Sequence, residues 1–344
     1  MKSTESFDVV IVGAGPAGLK CAEILGGSDL TVLIVEKNFD IGPKVCAGGL
    51  TGKDIEYLKL PEELIEFKYN KINLHVNDVC SIIKSSEYFA YTIDRESLGK
   101  WQLEKLKRFD NVEIRKSARV SSIEKEYITI NDKKISYKFL VGADGSSSVV
   151  RNFLNMKSRK MDIAIQYIIP TDRFRDFEVF FDSKLFSSWY SWIFPHQNYV
   201  SIGCGCNPDI LSSKELMGNF NKWIGSKNID ISNGRYEAFM INYDYQGHQF
   251  GNVFLVGDAG GFASGFTGEG IYQAVITGEE VAKNILNPEY KSHKINELLK
   301  TKRRHNRLMN FLIRCGKSRT FFFYLGILLL KIPYLKKKAL EVLA

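Results

Sequence analysis

Phe7-Asp8-Val9-Val10-Ile11-Val12-Gly13-Ala14-Gly15-Pro16-Ala17-Gly18 is the stretch on which the fold of this chain turns. Residues 7–12 form a short apolar run suited to a strand buried on both faces, and they feed a G-x-G-x-x-G turn. A helix over 19–25 follows, then a second strand over 31–35 that ends in Glu36. Each glycine has a physical role: Gly13 permits the tight turn, Gly15 lets the backbone approach a pyrophosphate, and Gly18 allows close helix–strand packing. The helix N-terminus offers free N–H groups and its dipole to phosphates. Glu36, 18 residues after Gly18, stands where a carboxylate can accept from a ribose diol. Alone, the glycine pattern is merely a loop. Strand, turn, helix, strand and terminal acid together call for an adenine dinucleotide.

Two later segments favour FAD over NAD. A strand ending at 139–141 runs into Asp144-Gly145-Ser146-Ser147-Ser148-Val149-Val150-Arg151, and residues 252–256 (NVFLV) lead into Gly257-Asp258-Ala259-Gly260-Gly261. A helix is expected over 270–286. An acid at that strand end can bind a ribityl hydroxyl, and the helix N-terminus can face the flavin edge where negative charge collects on reduction. Either aspartate alone reads as a helix N-cap, but three spaced motifs agree.

These residues resemble those of a known family. The D-G-x-x-S-x-x-R and G-D motifs are similar to those of the aromatic-hydroxylase-type flavoproteins. Lys44-Val45-Cys46-Ala47-Gly48-Gly49-Leu50 and Tyr190-Ser191-Trp192-Ile193-Phe194-Pro195 resemble the K-x-C-G-G-G-L and Y-x-W-x-F-P stretches of the geranylgeranyl reductase branch. Ala47 departs from the glycine usual there. The resemblance runs from about residue 8 to 287 and implies an FAD site made of Gly13, Gly15, Ala17, Gly18, Glu36, Lys37, Cys46, Ala47, Arg95, Asp144, Gly257, Asp258, Gly268, Gly270 and Ile271. Arg95 reads equally well as a helix-start residue in a surface ion pair. The reaction implied is saturation of C=C bonds in a prenyl chain by hydride from reduced flavin, with NAD(P)H or a small carrier such as ferredoxin as donor.

The expected fold is α/β: a Rossmann-type FAD-binding domain, an inserted and mostly antiparallel β-sheet substrate domain, and a helical C-terminal tail. The bounds are 1–60, 92–157 and 250–287 for the first, 61–91 and 158–249 for the second, and 288–344 for the tail. Strands rich in aromatic and β-branched residues are expected at 163–169, 178–181, 190–194, 199–204 and 236–242, with one helix over 214–224. Such an insertion can create a pocket over the flavin. Tyr190, Trp192 and Phe194 alternate, so they share one side of a strand. Spacing alone makes them a core stripe; the resemblance makes them, with Gly48 and Gly49, the lining of an apolar prenyl channel. Cys46 is the implied catalytic residue, delivering a proton or positioning the alkene. Cys204 and Cys206 share one side of a strand and lack a Cys/His cluster, so no metal site is expected.

Of 344 residues, 47 are Lys or Arg and 39 Asp or Glu, for a net charge of +8. From Tyr290 onward there are 14 basic and 2 acidic residues, a net of +12, which leaves −4 for the first 289. That imbalance argues against a nucleic-acid binder and for one basic docking surface. The apolar run FFFYLGILLL at 321–330 is too short to span a bilayer, which takes about 20 residues. With the surrounding lysines it reads either as a helix packed on the body or as an interfacial hairpin on anionic lipid. A 44% hydrophobic content excludes wholesale disorder, and six uneven cysteines exclude a disulfide framework. The expectation is a cytoplasmic protein, peripheral on the membrane's cytoplasmic face. Two rival functions stand beside the reductase. One is a flavin monooxygenase or halogenase, although halogenases use W-x-W-x-I-P where this chain has Tyr190 and Phe194. The other is a membrane-docked flavoprotein with a binding or envelope-maintenance role.

Overall fold

The computed structural model describes residues 5–343, with side chains for residues 5–338; the outermost ends of the expected segments, 1–4 and 344, lie outside the described residues. The chain divides by its internal contacts into two units. One is Met1–Lys44, Glu96–Lys160 and Ile241–Arg304; the other is Val45–Arg95, Met161–Met240 and His305–Ala344.

The first unit is built on a largely parallel sheet. Its strands run in the order Gln249–Phe250, Val253–Leu255, Lys133–Gly142, Glu5–Val12, Val32–Val35, Val112–Arg115, and Val120–Ile123 and Tyr127–Ile130 extend it antiparallel. Val9 and Ile11 pack into one apolar cluster with the helices Pro16–Leu25 and Ile271–Leu286, while Val10 and Val12 pack into a second with Val120 and Ile128. A strand covered on both faces needs an unbroken apolar run, which is why residues 7–12 do not alternate. A Cβ at Gly278 would stand 2.2 Å from the Ala17 carbonyl oxygen, so glycine is what lets the helix Ile271–Leu286 cross the dinucleotide helix closely. The Rossmann-type arrangement is as expected.

The second unit carries a seven-stranded sheet in the order Arg235–Asn242, Met161–Ile169, Val200–Cys206, Ser191–Pro195, Glu178–Phe181, Lys71–Val76, Val79–Lys84. Val200–Cys206 is antiparallel to both its neighbours, whereas Glu178–Phe181 and Lys71–Val76 run parallel. A smaller sheet joins Gly49–Thr51, Ala90–Thr92 and Phe67–Tyr69. The helix Ser213–Ser226 starts on a capping box of Ser212 and Glu215 and buries Leu216, Phe220 and Trp223 in the sheet's apolar core.

Several bounds differ from the sequence reading, two of them by long segments. Residues 45–60 group with the sheet unit, because Gly49–Thr51 pairs with Ala90–Thr92. The segment 288–344 is divided at Arg304 and forms no unit of its own. Its helical stretch is also interrupted: His293–Arg314 ends at a turn where Gly316 takes φ +50°, and Arg319–Leu329 and Pro333–Leu343 follow.

Candidate functional site: a dinucleotide cradle and a cysteine loop on an aromatic sheet

In the first unit the glycine turn has the geometry its spacing implies. Gly13 takes φ +103°, and a Cβ there would lie 2.5 Å from the Ala143 carbonyl oxygen. A Cβ at Gly18 would lie 2.1 Å from the Gly13 carbonyl oxygen, so the helix can start against its own loop only with glycine. Gly15, the N-cap of that helix, is different: a Cβ there would meet no protein atom within 4 Å, and no side chain caps the helix. The turn thus presents uncapped N–H groups to open space, which fits a pyrophosphate. Ala17 is buried beneath it. The Glu36 carboxylate accepts from the Ala14 N–H at 2.9 Å with one oxygen and from the Asn38 N–H at 2.9 Å with the other. It therefore braces the glycine turn as well as standing at the strand end where a ribose would lie. Lys37 is exposed.

The later motifs lie in the same unit. Asp258 sits in the turn Gly257–Gly260, where its carboxylate accepts from Lys44 Nζ at 3.1 Å and from the Ser146 hydroxyl at 3.4 Å. Gly270 lies against it, since a Cβ there would be 3.2 Å from Asp258 Oδ1, and Ile271 opens the helix behind. Gly257 and Gly268 both take positive φ, +54° and +71°. Thr277, which the sequence does not single out, accepts from the Gly257 N–H at 2.9 Å and so fixes this turn to the helix Ile271–Leu286. One Asp144 oxygen accepts from the N–H groups of Val149 and Val150 at 2.6 and 3.3 Å, at the start of the helix Val149–Phe153 whose N-cap is Ser148. Burial raises the Asp144 carboxyl above the ordinary range, and its second oxygen is buried and unpartnered. A buried orphan oxygen is a group that a bound ligand's hydroxyl can satisfy. Together with the opening at Gly15, it fits these residues to an adenine dinucleotide such as FAD.

The second unit holds the cysteine loop. Cys46 is half-buried, and its Sγ accepts from the Gly48 N–H at 3.4 Å. Gly48 takes φ +75°, and a Cβ on it would stand 2.4 Å from the His196 ring. A Cβ on Gly49 would be 3.0 Å from the Phe194 ring. The loop is therefore pressed against the strand Ser191–Pro195 at both glycines. Arg95 is buried at the start of its helix, with Nε and Nη1 unpartnered. It is no surface ion-pair residue, and its free donors suit an anionic or carbonyl group.

Two side chains that sequence reasoning missed hold this loop from below. Gln166, 2% exposed, donates from Nε2 to the Cys46 carbonyl at 3.2 Å and to Glu237 at 2.8 Å. Ser201 donates to Gln166 Oε1 at 3.0 Å and accepts from the Trp192 indole N–H at 3.0 Å, so Trp192 is linked to the cysteine loop through two polar residues. His196, 2% exposed, donates from Nε2 to the Ala47 carbonyl at 2.9 Å, and its Nδ1 meets the Glu66 carboxyl at 2.5 Å with a proton held between them. Tyr199 stacks on the His196 ring at 4.2 Å. The one sequence signal for this clamp was the position of His196, directly after Pro195.

Tyr190, Trp192 and Phe194 do share a side. Their rings follow one another at 6.1 Å, and Phe194 stacks on Phe177 at 3.9 Å in a cluster with Tyr69 and Ala47. Tyr190 itself lies one residue before the strand. The Gly203-Cys204-Gly205-Cys206 pattern now has a reason. Side chains at Gly203 and Gly205 would strike the Trp192 and Trp189 indoles at 2.3 and 2.4 Å, while Cys204 and Cys206 point into the aliphatic core on the other face. Burial pushes the Cys206 thiol up to about 12 and the Cys204 thiol well up.

Comparison with known proteins places this geometry. A family model described as the Thi4 family matches residues 1–94. The chain is 29% identical to an uncharacterized protein of Methanosarcina barkeri, over 85% of this chain and 77% of that one. It is 25% identical to a geranylgeranyl diphosphate reductase of Rhodobacter capsulatus, over 80% and 74% of the two chains. It is 25% identical to a digeranylgeranylglycerophospholipid reductase of Methanococcus vannielii, over 83% and 79%. The chain is similar to geranylgeranyl reductases along most of its length. Its fold matches the crystal structure of a geranylgeranyl bacteriochlorophyll reductase-like protein from Thermoplasma acidophilum with a TM-score of 0.77, over 99% and 100% of the chains at 19% identity. A flavin-dependent brominase shares the fold at a TM-score of 0.68 and 17% identity, over 98% and 93%.

Proposed function

We propose that this protein is an FAD-dependent reductase that saturates C=C bonds in the prenyl chain of a lipid or prenylquinone. The observation that carries the reading is the loop Cys46–Gly49. It is a thiol-bearing turn pinned by Gln166 and His196 onto a sheet paved with aromatic rings, in a chain that also has a dinucleotide cradle. Relatives named for geranylgeranyl substrates support the substrate class.

FAD held by Gly13, Gly15, Gly18, Glu36 and Asp258 would, once reduced, supply hydride chemistry for one alkene carbon. Every other task falls to the chain. Gly13, Gly15 and Gly18 shape the anion-binding turn, and Glu36 and Asp258 offer carboxylates to sugar hydroxyls. Trp192, Phe194 and Phe177 exclude water and give a prenyl chain apolar contact worth about 0.8 kcal/mol per buried CH₂. An isolated alkene has no carbonyl to hold developing charge, so alignment in a dry site has to lower the barrier. Cys46 holds the thiol proton that goes to the second carbon. The Gly48 N–H on Sγ stabilises the thiolate left behind, which regains its proton from water. Two electrons per saturated bond come from NAD(P)H or a small reduced carrier such as a ferredoxin.

The test is mass spectrometry of prenyl lipids and prenylquinones after anaerobic incubation with dithionite-reduced protein. Products gaining two hydrogens per saturated bond are expected, with turnover at least tenfold slower in Cys46→Ala. Wild-type turnover in Cys46→Ala removes the cysteine from the mechanism. Product formed only with O₂ favours the monooxygenase or halogenase reading, which the shared fold of the brominase keeps in view. No saturated product from any prenyl lipid favours a flavoprotein whose role is binding.

A further inference from the structure

Among the described residues no helix is long and apolar enough to cross a membrane. The C-terminal helices nevertheless carry an unusual surface. Arg319–Leu329 is apolar all round, a pattern that normally marks a helix enclosed on every side. Its inner face is enclosed. Phe323 and Ile327 are buried, Phe323 packs against Phe181 at 5.1 Å, and Thr320 bonds to Ser183 at 2.5 Å. Arg319 ties the preceding corner by donating to the carbonyls of Leu312 and Ile313 at 2.7 and 3.2 Å. The helix is thus seated on the sheet unit and is no loose tail. Its outer face is not enclosed: Phe321 is 62% exposed and Leu328 60%, each about one turn from Tyr324, which is itself 36% exposed. Phe311 on the preceding helix, 46% exposed, extends this strip through its ring contact with Phe322 at 4.8 Å, and Ile332 continues it at the other end.

The charge around the strip is of one sign. Between Glu297 and Glu341 the chain has no acidic residue and 12 Lys or Arg. Arg307, Arg314, Lys317, Lys331 and Lys337 are all exposed, each within about five residues of an exposed apolar side chain in the sequence. Not every basic residue of this segment is at the surface, because Lys302 is buried and donates to the Ala263 carbonyl at 2.6 Å.

We propose that this outer face is a docking surface for a lipid bilayer with anionic headgroups. Phe321, Leu328 and Phe311 enter the headgroup–acyl boundary, and the surrounding Arg and Lys side chains meet lipid phosphates. Apolar residues rimmed by cations fit a surface that is greasy beneath and negative above. A second copy of the chain fits poorly, since a self-complementary contact through this face sets the same cations against each other. The inference does not depend on the prenyl-reductase reading, and its test contains no prenyl substrate.

The experiment is flotation of the full-length protein with vesicles of pure phosphatidylcholine and of phosphatidylcholine containing phosphatidylglycerol. Binding to the anionic vesicles is expected, at least tenfold weaker to the neutral ones and sharply reduced by high salt. Phe321→Ser/Leu328→Ser should weaken the anionic-vesicle partition at least tenfold, as should Lys317→Glu/Lys331→Glu, with melting temperatures unchanged because all four positions are exposed. Equal binding to both vesicle types, or wild-type binding by the Phe321→Ser/Leu328→Ser protein, overturns the proposal. A wild-type dimer in sedimentation that the same apolar variant converts to monomer also overturns it, and assigns the face to self-association.

Discussion

His196→Phe tests the clamp beneath the cysteine loop. Phenylalanine keeps the ring, and with it the stack on Tyr199 and the contact with Gly48, but removes both hydrogen bonds. The Ala47 carbonyl loses its donor, and Glu66, 13% exposed at its side chain, keeps only the Gln197 N–H at 3.3 Å. Breaking a fully buried pair costs about 3–5 kcal/mol, and an unmet hydrogen bond to a charged group about 1.5–3. Partial solvent access at Glu66 lowers the sum, so a loss of about 2–3 kcal/mol is expected. Urea unfolding followed by tryptophan fluorescence is the assay, because Trp189, Trp192 and Trp223 all lie in the sheet unit. His196→Phe/Glu66→Gln should recover part of the loss, since it removes the stranded carboxylate. Hydrogen exchange supplies the local readout: the Ile93 amide, which donates to the Gly48 carbonyl at 3.0 Å, should exchange faster while the strand Glu5–Val12 does not. A midpoint within experimental error of wild type, with unchanged exchange at Ile93, would refute the clamp.

Three further outcomes follow from named contacts. Gly15→Ala should fold normally yet bind FAD at least tenfold more weakly, whereas Gly18→Ala should lower the melting temperature itself, because its Cβ meets the Gly13 carbonyl at 2.1 Å; equal melting and equal flavin retention in the two would contradict the cradle. In native protein Ellman's reagent should reach the exposed Cys80 and the half-buried Cys46 and Cys315, but Cys21, Cys204 and Cys206 only on unfolding; burial pushes Cys21 and Cys206 to about 12, and six rapid thiols would exclude this packing. Burial lowers the His248 pKa below its ordinary 6.5, and the neutral ring accepts from the Tyr245 hydroxyl at 2.8 Å. The unfolded chain then binds the extra proton first, so this contribution is complete above about pH 6.5 and is lost as pH falls through the folded value. His248→Gln should flatten the decline in stability below that pH, and a parallel pH profile in the variant would refute it.

The dinucleotide half was legible in the sequence because its determinants are local. A turn that needs Gly13, Gly15 and Gly18 within six residues, fed by a run buried on both faces, admits few other folds. Tyr190, Trp192 and Phe194 were likewise legible as a one-sided stripe from period-two spacing. Local reasoning is least decisive where one polar side chain can serve both ligand and backbone. Asp144 accepts from helix N–H groups with one oxygen and keeps the other buried and unpartnered, and Lys302, within the basic tail, donates to a buried carbonyl.

What only the tertiary structure decided is what holds the cysteine loop and what the tail presents. Gln166 reaches Cys46 across 120 positions and His196 reaches Ala47 across 149, and neither pairing has a periodicity or motif to announce it. The same holds for the apolar helix Arg319–Leu329. Its composition is plain in the sequence, but which face is covered follows from Phe181 and Ser183, more than a hundred residues away. Backbone requirements are written into neighbouring residues, and so a sequence displays them. Partners for buried polar groups and for apolar faces are chosen by the packing of distant segments, and these become visible only once the chain has folded.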